Sequence, residues 1–324
     1  MPIDTGALAA AIGSGDRTAL ARAITLVEST RADHRAAARE LSHRLKPPRE
    51  ICWRVGISGV PGSGKSTLIE TLGSLLTSRG HRVGVLAIDP SSVRTGGSVL
   101  GDKTRMPRLA ADVAAFIRPS PTAGTLGGVA RATAQTVPLL EAAGYDVILV
   151  ETVGVGQSET AASSMVDTFL LLGLARSGDQ LQGIKRGVLE IADVVAINKA
   201  DGDATASSRS AASELAGALR LMRGASDDWA VPVVTCSGLT GDGVDEVWTL
   251  VGKHRESLGI KGISAKRSTQ QWALTQHLVA DALLSRLTNS ESARGARSRL
   301  QPQVLAGSVS AVAAADEILA AFDA

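Results

Sequence analysis

The chain has 324 residues, of which 44% are hydrophobic and only 2% aromatic, and its formal net charge is +2. It is long enough to bury a large core, which must consist mainly of Val, Ile, Leu and Ala. The small net charge, without a dense Lys and Arg block, argues against nucleic acid as a partner. We expect no membrane span and no signal peptide, and therefore a cytoplasmic protein, because no long apolar stretch occurs.

The first predicted elements are helices, and residues 1–48 are interpreted as an N-terminal helical extension. Leu20, Ile24 and Val27 recur at the spacing of one helix face. The sequence KPPR at 46–49 breaks this pattern and marks a boundary.

A phosphate-binding motif follows directly. Residues 59–66, GVPGSGKS, fit G-x-x-x-x-G-K-[ST], a loop whose backbone N–H groups surround nucleotide phosphates. The motif needs a preceding strand and a following helix, which the pattern predicts at 51–58 and 67–76. The predicted nucleotide contacts are Gly59, Pro61, Gly62, Ser63, Gly64, Lys65, Ser66 and Thr67.

Strands and helices then alternate through residues 49–260, which we interpret as one P-loop NTPase domain. This rhythm is typical of an α/β fold with a doubly wound, mostly parallel sheet, here with N- and C-terminal helical extensions. The predicted strands lie at 51–58, 82–89, 113–117, 146–151, 167–172, 193–198 and 231–236. Two cysteines, Cys52 and Cys236, fall in such apolar runs and are predicted to be buried, unreactive thiols.

Acidic residues at strand ends predict a magnesium site beside the phosphate loop. Asp89 ends the second strand, Asp102 follows it, and Glu151 ends the strand at 146–151. Mg²⁺ prefers oxygen ligands, so these carboxylates and the Ser66 hydroxyl are its predicted ligands. Glu151 is followed by Gly154, whose N–H is expected to face the γ-phosphate.

The sequence NKAD at 198–201 predicts a guanine site. The Asp201 carboxylate can accept from both donors on the guanine edge, whereas adenine offers no such pair. Asn198 and Lys199 are expected to brace the loop and to stack on the base. After the strand at 231–236, the residues Ser237, Gly238 and Leu239 are predicted to give a second base contact through backbone N–H groups. With a guanine site, we interpret residues 49–260 as a P-loop GTPase domain.

Candidate catalytic residues are Lys65, Gly154, Gln157 and Lys185, since hydrolysis needs a positioned water and positive charge near the phosphates. Gln157 could orient the water, and Lys185 could supply charge. Arg105 could also supply charge, but we interpret it as a surface residue.

Residues 261–324 are predicted to be a C-terminal helical arm, with apolar positions from Trp272 to Leu283. A polar break is predicted at 289–302 and a last helix at about 308–322.

Several runs resemble the MeaB/ArgK GTPases, which are chaperones of adenosylcobalamin-dependent methylmalonyl-CoA mutase. They are AIDPSSVRTGGS at 87–98, LGDKTRM at 100–106, ETVGVGQSE at 151–159 and LQGIK at 181–185. The resemblance covers roughly residues 35–285.

This resemblance implies a homodimer formed with the help of the terminal helices, and a domain that binds GTP or GDP with Mg²⁺. It implies that GTP hydrolysis gates cofactor loading and protects or rescues the mutase, with an adenosyltransferase as a further candidate partner. Asp89, Asp102 and Glu151 would surround the magnesium, and Lys185 would belong to a mutase-responsive switch. Gln180 departs from the family, which commonly has Glu there.

Other functions stay open at the level of sequence. A nickel-insertion GTPase of related fold is one, a transport-associated kinase is another, and a GTP-binding scaffold without hydrolysis is a third. The client could also be a different acyl-CoA mutase.

Overall fold

The computed structural model of the chain describes residues 3–29, 31–48, 50–89, 105–121, 126–152, 158–175, 186–223 and 229–323. The chain divides into two units, Met1–Gln270 and Gln271–Ala324, each of which is described by itself. The domain boundaries predicted after residues 48 and 260 stay predictions.

A parallel sheet forms the centre of the first unit. Among the described residues it has seven strands, β1 (Trp53–Gly59), β2 (Val83–Asp89), β3 (Ala115–Pro121), β4 (Val147–Thr152), β5 (Thr168–Leu174), β6 (Val194–Asn198) and β7 (Val233–Thr235). Their order is β3-β2-β4-β1-β5-β6-β7, and every neighbouring pair is parallel. All seven predicted strands are present; the largest difference is the end of β3, predicted at 117 and found at Pro121.

The position of β1 determines where a ligand can bind. β1 pairs with β4 on one side and β5 on the other, although the chain passes from β1 to β2, which lies beyond β4. The chain therefore leaves the carboxyl ends of these central strands in opposite directions. In open α/β sheets, such a switch point produces a crevice beside the strand ends.

Helices cover both faces of the sheet. In the described part of the first unit they are α1 (Thr5–Gly13), α2 (Arg17–Glu28), α3 (Ala32–Arg44), α4 (Lys65–Ser78), α5 (Pro107–Ala111), α6 (Leu126–Ala142), α7 (Ser158–Ser163), α8 (Arg186–Ile191), α9 (Thr205–Arg223) and α10 (Val244–Asn289), which continues into the second unit. Alternate strand residues enter two separate apolar clusters, for example Ile148 on one face and Leu149 on the other. Strands buried on both faces are expected when helices cover both sides of a parallel sheet.

The predicted N-terminal helices are three in number, and they pack on one face of the sheet. Asp16 begins α2 by accepting hydrogen bonds from the N–H groups of Thr18 and Ala19 at 2.8 and 3.1 Å. Such caps satisfy N–H groups that the helix itself leaves unpaired. Leu20 and Ile24 of the predicted apolar face are buried against this side of the core.

Charged side chains join α10 to the amino ends of the strands. The Asp167 carboxylate, which is 2% exposed, accepts from Arg267 Nε and Nη2 at 2.8 and 2.7 Å. Glu141 accepts from Arg54 Nη2 at 2.8 Å, and both side chains are mostly buried. Helix α10 itself is interrupted at Gly259, where φ is 59° and ψ is 175°.

The second unit contains the end of α10 and two further helices, α11 (Glu291–Leu305) and α12 (Ala311–Asp323). The polar break predicted at 289–302 is therefore wrong. Ser290 caps α11 by accepting from the Ala293 N–H at 3.3 Å, and small apolar side chains within its polar sequence pack against α12. A stripe of only three buried residues, Ala293, Ala296 and Leu300, was too narrow to stand out among the arginines.

Both cysteines are buried, as predicted. Burial raises the pKa of the Cys236 thiol to about 12 and raises that of Cys52 as well. Thiolate formation is suppressed in such surroundings, so neither side chain is a good nucleophile. In the described residues, no helix combines the length and the apolar character that crossing a membrane would require.

Candidate nucleotide-binding site

The phosphate loop connects the end of β1 to the start of α4. Its glycines are required by close approaches. A Cβ on Gly59 would lie 2.5 Å from the carbonyl oxygen of Leu172, and one on Gly64 would lie 2.7 Å from Asn198 Nδ2. Gly64 also has a φ of 88°, a left-handed conformation that a side chain disfavours. The loop therefore closes tightly around the N-terminus of α4. A helix N-terminus favours a bound anion, because its free N–H groups and its positive dipole end point toward it.

Lys65 places its ammonium group inside this loop. Its Nζ donates to the carbonyl oxygen of Gly59 at 2.8 Å and to that of Val60 at 3.3 Å. Burial lowers the pKa of Lys65 from its ordinary value, while the carboxylates of Glu151 and Glu159 act in the opposite direction. The arrangement holds a cation among backbone groups at the point where phosphate charge is expected.

Ser66 and Glu151 meet beside the loop. The Ser66 hydroxyl donates to Glu151 Oε1 at 2.9 Å, so the first turn of α4 is joined to the end of β4. Asp89 ends the adjacent strand β2, and its backbone lies just beyond the register pair Ile88 and Thr152. The backbone thus brings Ser66, Asp89 and Glu151, three of the four predicted magnesium ligands, to the carboxyl ends of the central strands. The fourth, Asp102, lies outside the described residues.

Asn198 connects the base half of the site to the phosphate half. This side chain is 2% exposed, and its Nδ2 donates to the Ser63 carbonyl oxygen at 2.7 Å. Its Oδ1 accepts from the Gly238 N–H at 2.9 Å. One amide therefore fixes the phosphate loop and the predicted base loop together.

Lys199 has an unusual backbone. Its φ of 61° lies in the left-handed region, which costs a residue with a side chain about 1 kcal/mol or more. The Lys199 side chain lies beside the phosphate loop, with its Cε 3.7 Å from the position of a Cβ on Gly64. Strained backbone of this kind is concentrated at functional sites.

Asp201 and Ser237 meet at the end of β6. The Ser237 hydroxyl, which is fully buried, donates to Asp201 Oδ1 at 2.7 Å. The bond occupies one lone pair and holds the carboxylate in one orientation. Leu239 follows two residues later with 76% of its surface exposed. Asp201 and the predicted base loop therefore lie together, as the sequence suggested.

Not every predicted residue can be placed. Gly154, Gln157 and Lys185 lie outside the described residues, and of Asp89 only the backbone is described. Among the remaining loop positions, Ser63 is buried whereas Pro61 and Thr67 are exposed. Within the described ranges, no three His, Cys, Asp or Glu side chains are grouped so that they could hold a metal ion.

Two contacts in the site were not anticipated. The Thr71 hydroxyl donates to the Gly238 carbonyl oxygen at 2.6 Å, and the Thr152 hydroxyl donates to Ser58 Oγ at 2.9 Å. Thr71 belongs to no recognisable motif, and although Thr152 lies in the run at 151–159, that run does not indicate its partner. Only the fold brings each to its partner.

Comparison with known proteins identifies the family. A family described as "Methylmalonyl Co-A mutase-associated GTPase MeaB" matches residues 20–292. The chain belongs to the MeaB family. The phosphate loop, the Ser66–Glu151 contact and the NKAD segment all lie within the matched part of this MeaB-family protein.

Relatives agree with this membership. A protein named "Probable GTPase" from Mycobacterium bovis is 58% identical, covering 96% of this chain and 93% of its own length. The mouse protein "Methylmalonic aciduria type A homolog, mitochondrial" is 45% identical over 95% of this chain and 77% of its own. A crystal structure described as "LAO/AO transport system kinase" superposes with a TM-score of 0.75 at 33% identity, covering 99% and 98% of the two chains. This MeaB-family chain is thus a P-loop GTPase that hydrolyses GTP to GDP and phosphate.

Proposed function

We propose that this GTPase is a chaperone of adenosylcobalamin-dependent methylmalonyl-CoA mutase. Its GTP hydrolysis gates cofactor loading and protects or reactivates the mutase. The observation that carries this proposal is the family match over residues 20–292, whose description names association with that mutase. The name of the mouse relative, which refers to methylmalonic aciduria, supports the same partner.

In this proposal, residues at the carboxyl ends of the strands hold the nucleotide. Its phosphates lie over the backbone N–H groups of residues 59–67, with Lys65 supplying positive charge. Guanine lies against Lys199, Asp201 accepts from the base edge, and the Leu239 N–H donates to the base. The N–H groups of Ser237 and Gly238 are not assigned to the base, because they donate to Asp242 and to Asn198 Oδ1. The orientation of Asp201 by Ser237 supports this assignment.

The donor set beside the loop fits a magnesium ion. A hydroxyl and a carboxylate, the groups of Ser66 and Glu151, lie within hydrogen-bond distance of each other, and oxygen donors are what Mg²⁺ prefers. We assign Ser66, Asp89, Asp102 and Glu151 to hold the ion, directly or through water. When bound, Mg²⁺ neutralises charge on the β- and γ-phosphates.

Three further residues are assigned to hydrolysis on sequence position alone. The Gly154 N–H donates to the γ-phosphate, Gln157 orients the attacking water, and Lys185 supplies charge from a segment that responds to the mutase. Each assignment follows the general need of phosphoryl transfer for positioning and charge stabilisation.

A homodimer through the C-terminal arm is part of the proposal. Trp272, Val279 and Leu283 stand seven and four residues apart on α10, the spacing of one helix face, and are 64%, 54% and 49% exposed. An apolar helix face of this kind is suited to packing against another helix. A second copy of the arm supplies such a helix. An adenosyltransferase is proposed as a further member of the complex.

Capture of purified methylmalonyl-CoA mutase by the immobilised protein tests the proposal. The experiment is run with GTP, with GDP and without nucleotide, and an unrelated acyl-CoA-binding enzyme serves as control. We expect capture of the mutase alone, with an amount that depends on the nucleotide. Equal retention of both enzymes in all three states would refute the partner.

A transport-associated kinase is the alternative with an observation in its favour, namely the description of the 33% identical crystal structure. Labelled GTP separates the two functions. Release of the label as inorganic phosphate supports the chaperone, whereas stable transfer to a protein supports the kinase. Nickel insertion has no comparable support, and tight stoichiometric nickel binding by the pure protein would revive it.

A further inference from the structure

The base loop rests directly on the helix that follows the phosphate loop. A Cβ on Gly238 would lie 2.9 Å from the backbone nitrogen of Leu68 and 3.0 Å from its Cα. Only glycine allows this approach, so the loop backbone is in contact with the first turn of α4. The same turn begins with Lys65 and Ser66, and thus both halves of the site share one support.

The Gly238 backbone is held on both sides. Its N–H donates to Asn198 Oδ1 at 2.9 Å, and its carbonyl oxygen accepts from the Thr71 hydroxyl at 2.6 Å. Asn198 belongs to the NKAD segment, whereas Thr71 belongs to no motif. Thr71 therefore adds a side-chain hydrogen bond to the packing contact between α4 and the base loop.

The Thr71 hydroxyl does not make the bond that helical threonines usually make. Thr25 and Thr136, by contrast, each donate to the carbonyl oxygen four residues earlier in their own helix, Thr25 to Ala21 at 3.0 Å and Thr136 to Ala132 at 2.8 Å. This local bond is the ordinary choice within a helix. At Thr71 the donor instead leaves its own helix for a loop 167 residues away in sequence.

The bond fixes the peptide between Gly238 and Leu239. No cis peptide occurs among the described residues, so the carbonyl of Gly238 and the N–H of Leu239 point to opposite sides of a planar group. With the carbonyl oxygen held by Thr71, the Leu239 N–H is directed away from α4. It becomes a donor of fixed orientation in the base loop.

We infer that Thr71 is a positioning residue for guanine recognition, which orients the Leu239 N–H toward the O6 acceptor of the base. Guanine carries O6 as an acceptor, and a fixed backbone donor opposite it adds selectivity to that supplied by Asp201. This inference rests on the guanine site proposed above. It assigns to Thr71 a role on one edge of the base and none at the phosphates.

Nucleotide analogues that differ at the base edge test the role. GDP and inosine diphosphate both carry O6, whereas 2-aminopurine riboside diphosphate lacks it. Thr71→Val removes the hydroxyl and keeps the shape, Thr71→Ser restores the hydroxyl, and Thr77→Val is a matched control because Thr77 donates within its own helix to Ser74 at 3.1 Å. Dissociation constants are measured by calorimetry for each protein and nucleotide.

Thr71→Val is expected to weaken GDP and inosine diphosphate by about fivefold to tenfold, the effect of one neutral hydrogen bond, and to leave the 2-aminopurine nucleotide within about twofold. Thr71→Ser and Thr77→Val are expected to match the wild type. Equal losses for all three nucleotides, or no loss for GDP, would overturn the inference. If the wild type binds GDP no more tightly than ADP, the guanine site itself fails, and this result is distinguishable from the others.

Discussion

The amide nitrogen of Asn198 lies 2.7 Å from the carbonyl oxygen of Ser63, and this bond joins the base half of the nucleotide site to the phosphate loop. The bond is buried, and the same side chain also accepts from Gly238. A nucleotide bound here would contact two loops whose relative position is set before binding. Preorganisation of this kind raises affinity because less ordering remains to be done on binding.

Asn198→Asp should weaken GDP binding by roughly tenfold or more, because a carboxylate oxygen would face the Ser63 carbonyl where a donor is needed. Calorimetry measures the effect. The chain has one other asparagine, Asn289, in an exposed position at the end of α10, and Asn289→Asp is the matched control. Equal affinities for the two variants would contradict a bracing role for Asn198.

Asp201→Asn should reduce the preference for GTP over ATP, since one acceptor on the base edge becomes a donor. The loss should reach about tenfold or more in a competition assay. Asp203→Asn, two residues further along and in the exposed turn Gly202–Ala204, is the control. Unchanged selectivity in Asp201→Asn would count against the guanine site.

Glu151→Gln should slow Mg²⁺-dependent GTP hydrolysis by about 100-fold while leaving GDP affinity measured in EDTA within a few-fold. The carboxylate meets the Ser66 hydroxyl at the proposed ion, and a neutral amide offers the cation less charge. Hydrolysis is followed by phosphate release over a magnesium titration. A variant with the wild-type magnesium dependence would remove Glu151 from the ion site.

Asp167→Asn should destabilise the protein by roughly 3 kcal/mol, because it removes the carboxylate 2.7 Å from the largely buried Arg267 and leaves that guanidinium with the more distant carboxylate of Glu141, at 3.7 Å. Urea unfolding followed by tryptophan fluorescence measures this. Asp245 makes a bond of the same 2.7 Å length to Arg79 but with 64% and 43% of the side chains exposed, so Asp245→Asn should cost less than about 1 kcal/mol. Similar losses of unfolding free energy in Asp167→Asn and Asp245→Asn would show that burial does not determine how much an ion pair stabilises this protein.

Lys185→Ala should chiefly reduce stimulation of GTP hydrolysis by the mutase, by about tenfold, and spare basal turnover. The reason is that its proposed charge acts from a segment that the partner positions. Rates are compared with and without purified mutase, and Lys253→Ala, on the first part of α10, serves as control. Parallel losses in basal and stimulated rates would argue against a partner-responsive residue.

The sheet could be predicted because its strands have a strong local signal. Runs such as 147–150 are continuously apolar, and residues on both faces are buried. The phosphate loop and NKAD were equally recognisable, since their residue types are dictated by direct contact with a ligand. Helix α11 was not predicted because its apolar stripe is narrow. The helix α12 was predicted, but a local pattern does not show that α11 packs against it.

Contacts between distant segments were beyond sequence reasoning. Thr71 and Gly238 are joined only because the loop that follows β7 lies against α4, which no local sequence pattern indicates. Likewise, the Ser66–Glu151 bond depends on β4 lying next to β1. A single sequence indicates which residues carry chemistry more readily than which residues hold them in place.

Cofactor transfer to the mutase tests the central proposal most directly. Apo methylmalonyl-CoA mutase is mixed with adenosylcobalamin and this protein, and loading is followed by cobalamin absorbance with GTP, with a non-hydrolysable GTP analogue and with GTP plus the Lys65→Ala variant. If hydrolysis gates loading, GTP will give productive loading, whereas the analogue and the variant will alter its rate or extent. Loading that is identical in all three mixtures, and identical without this protein, would contradict the account.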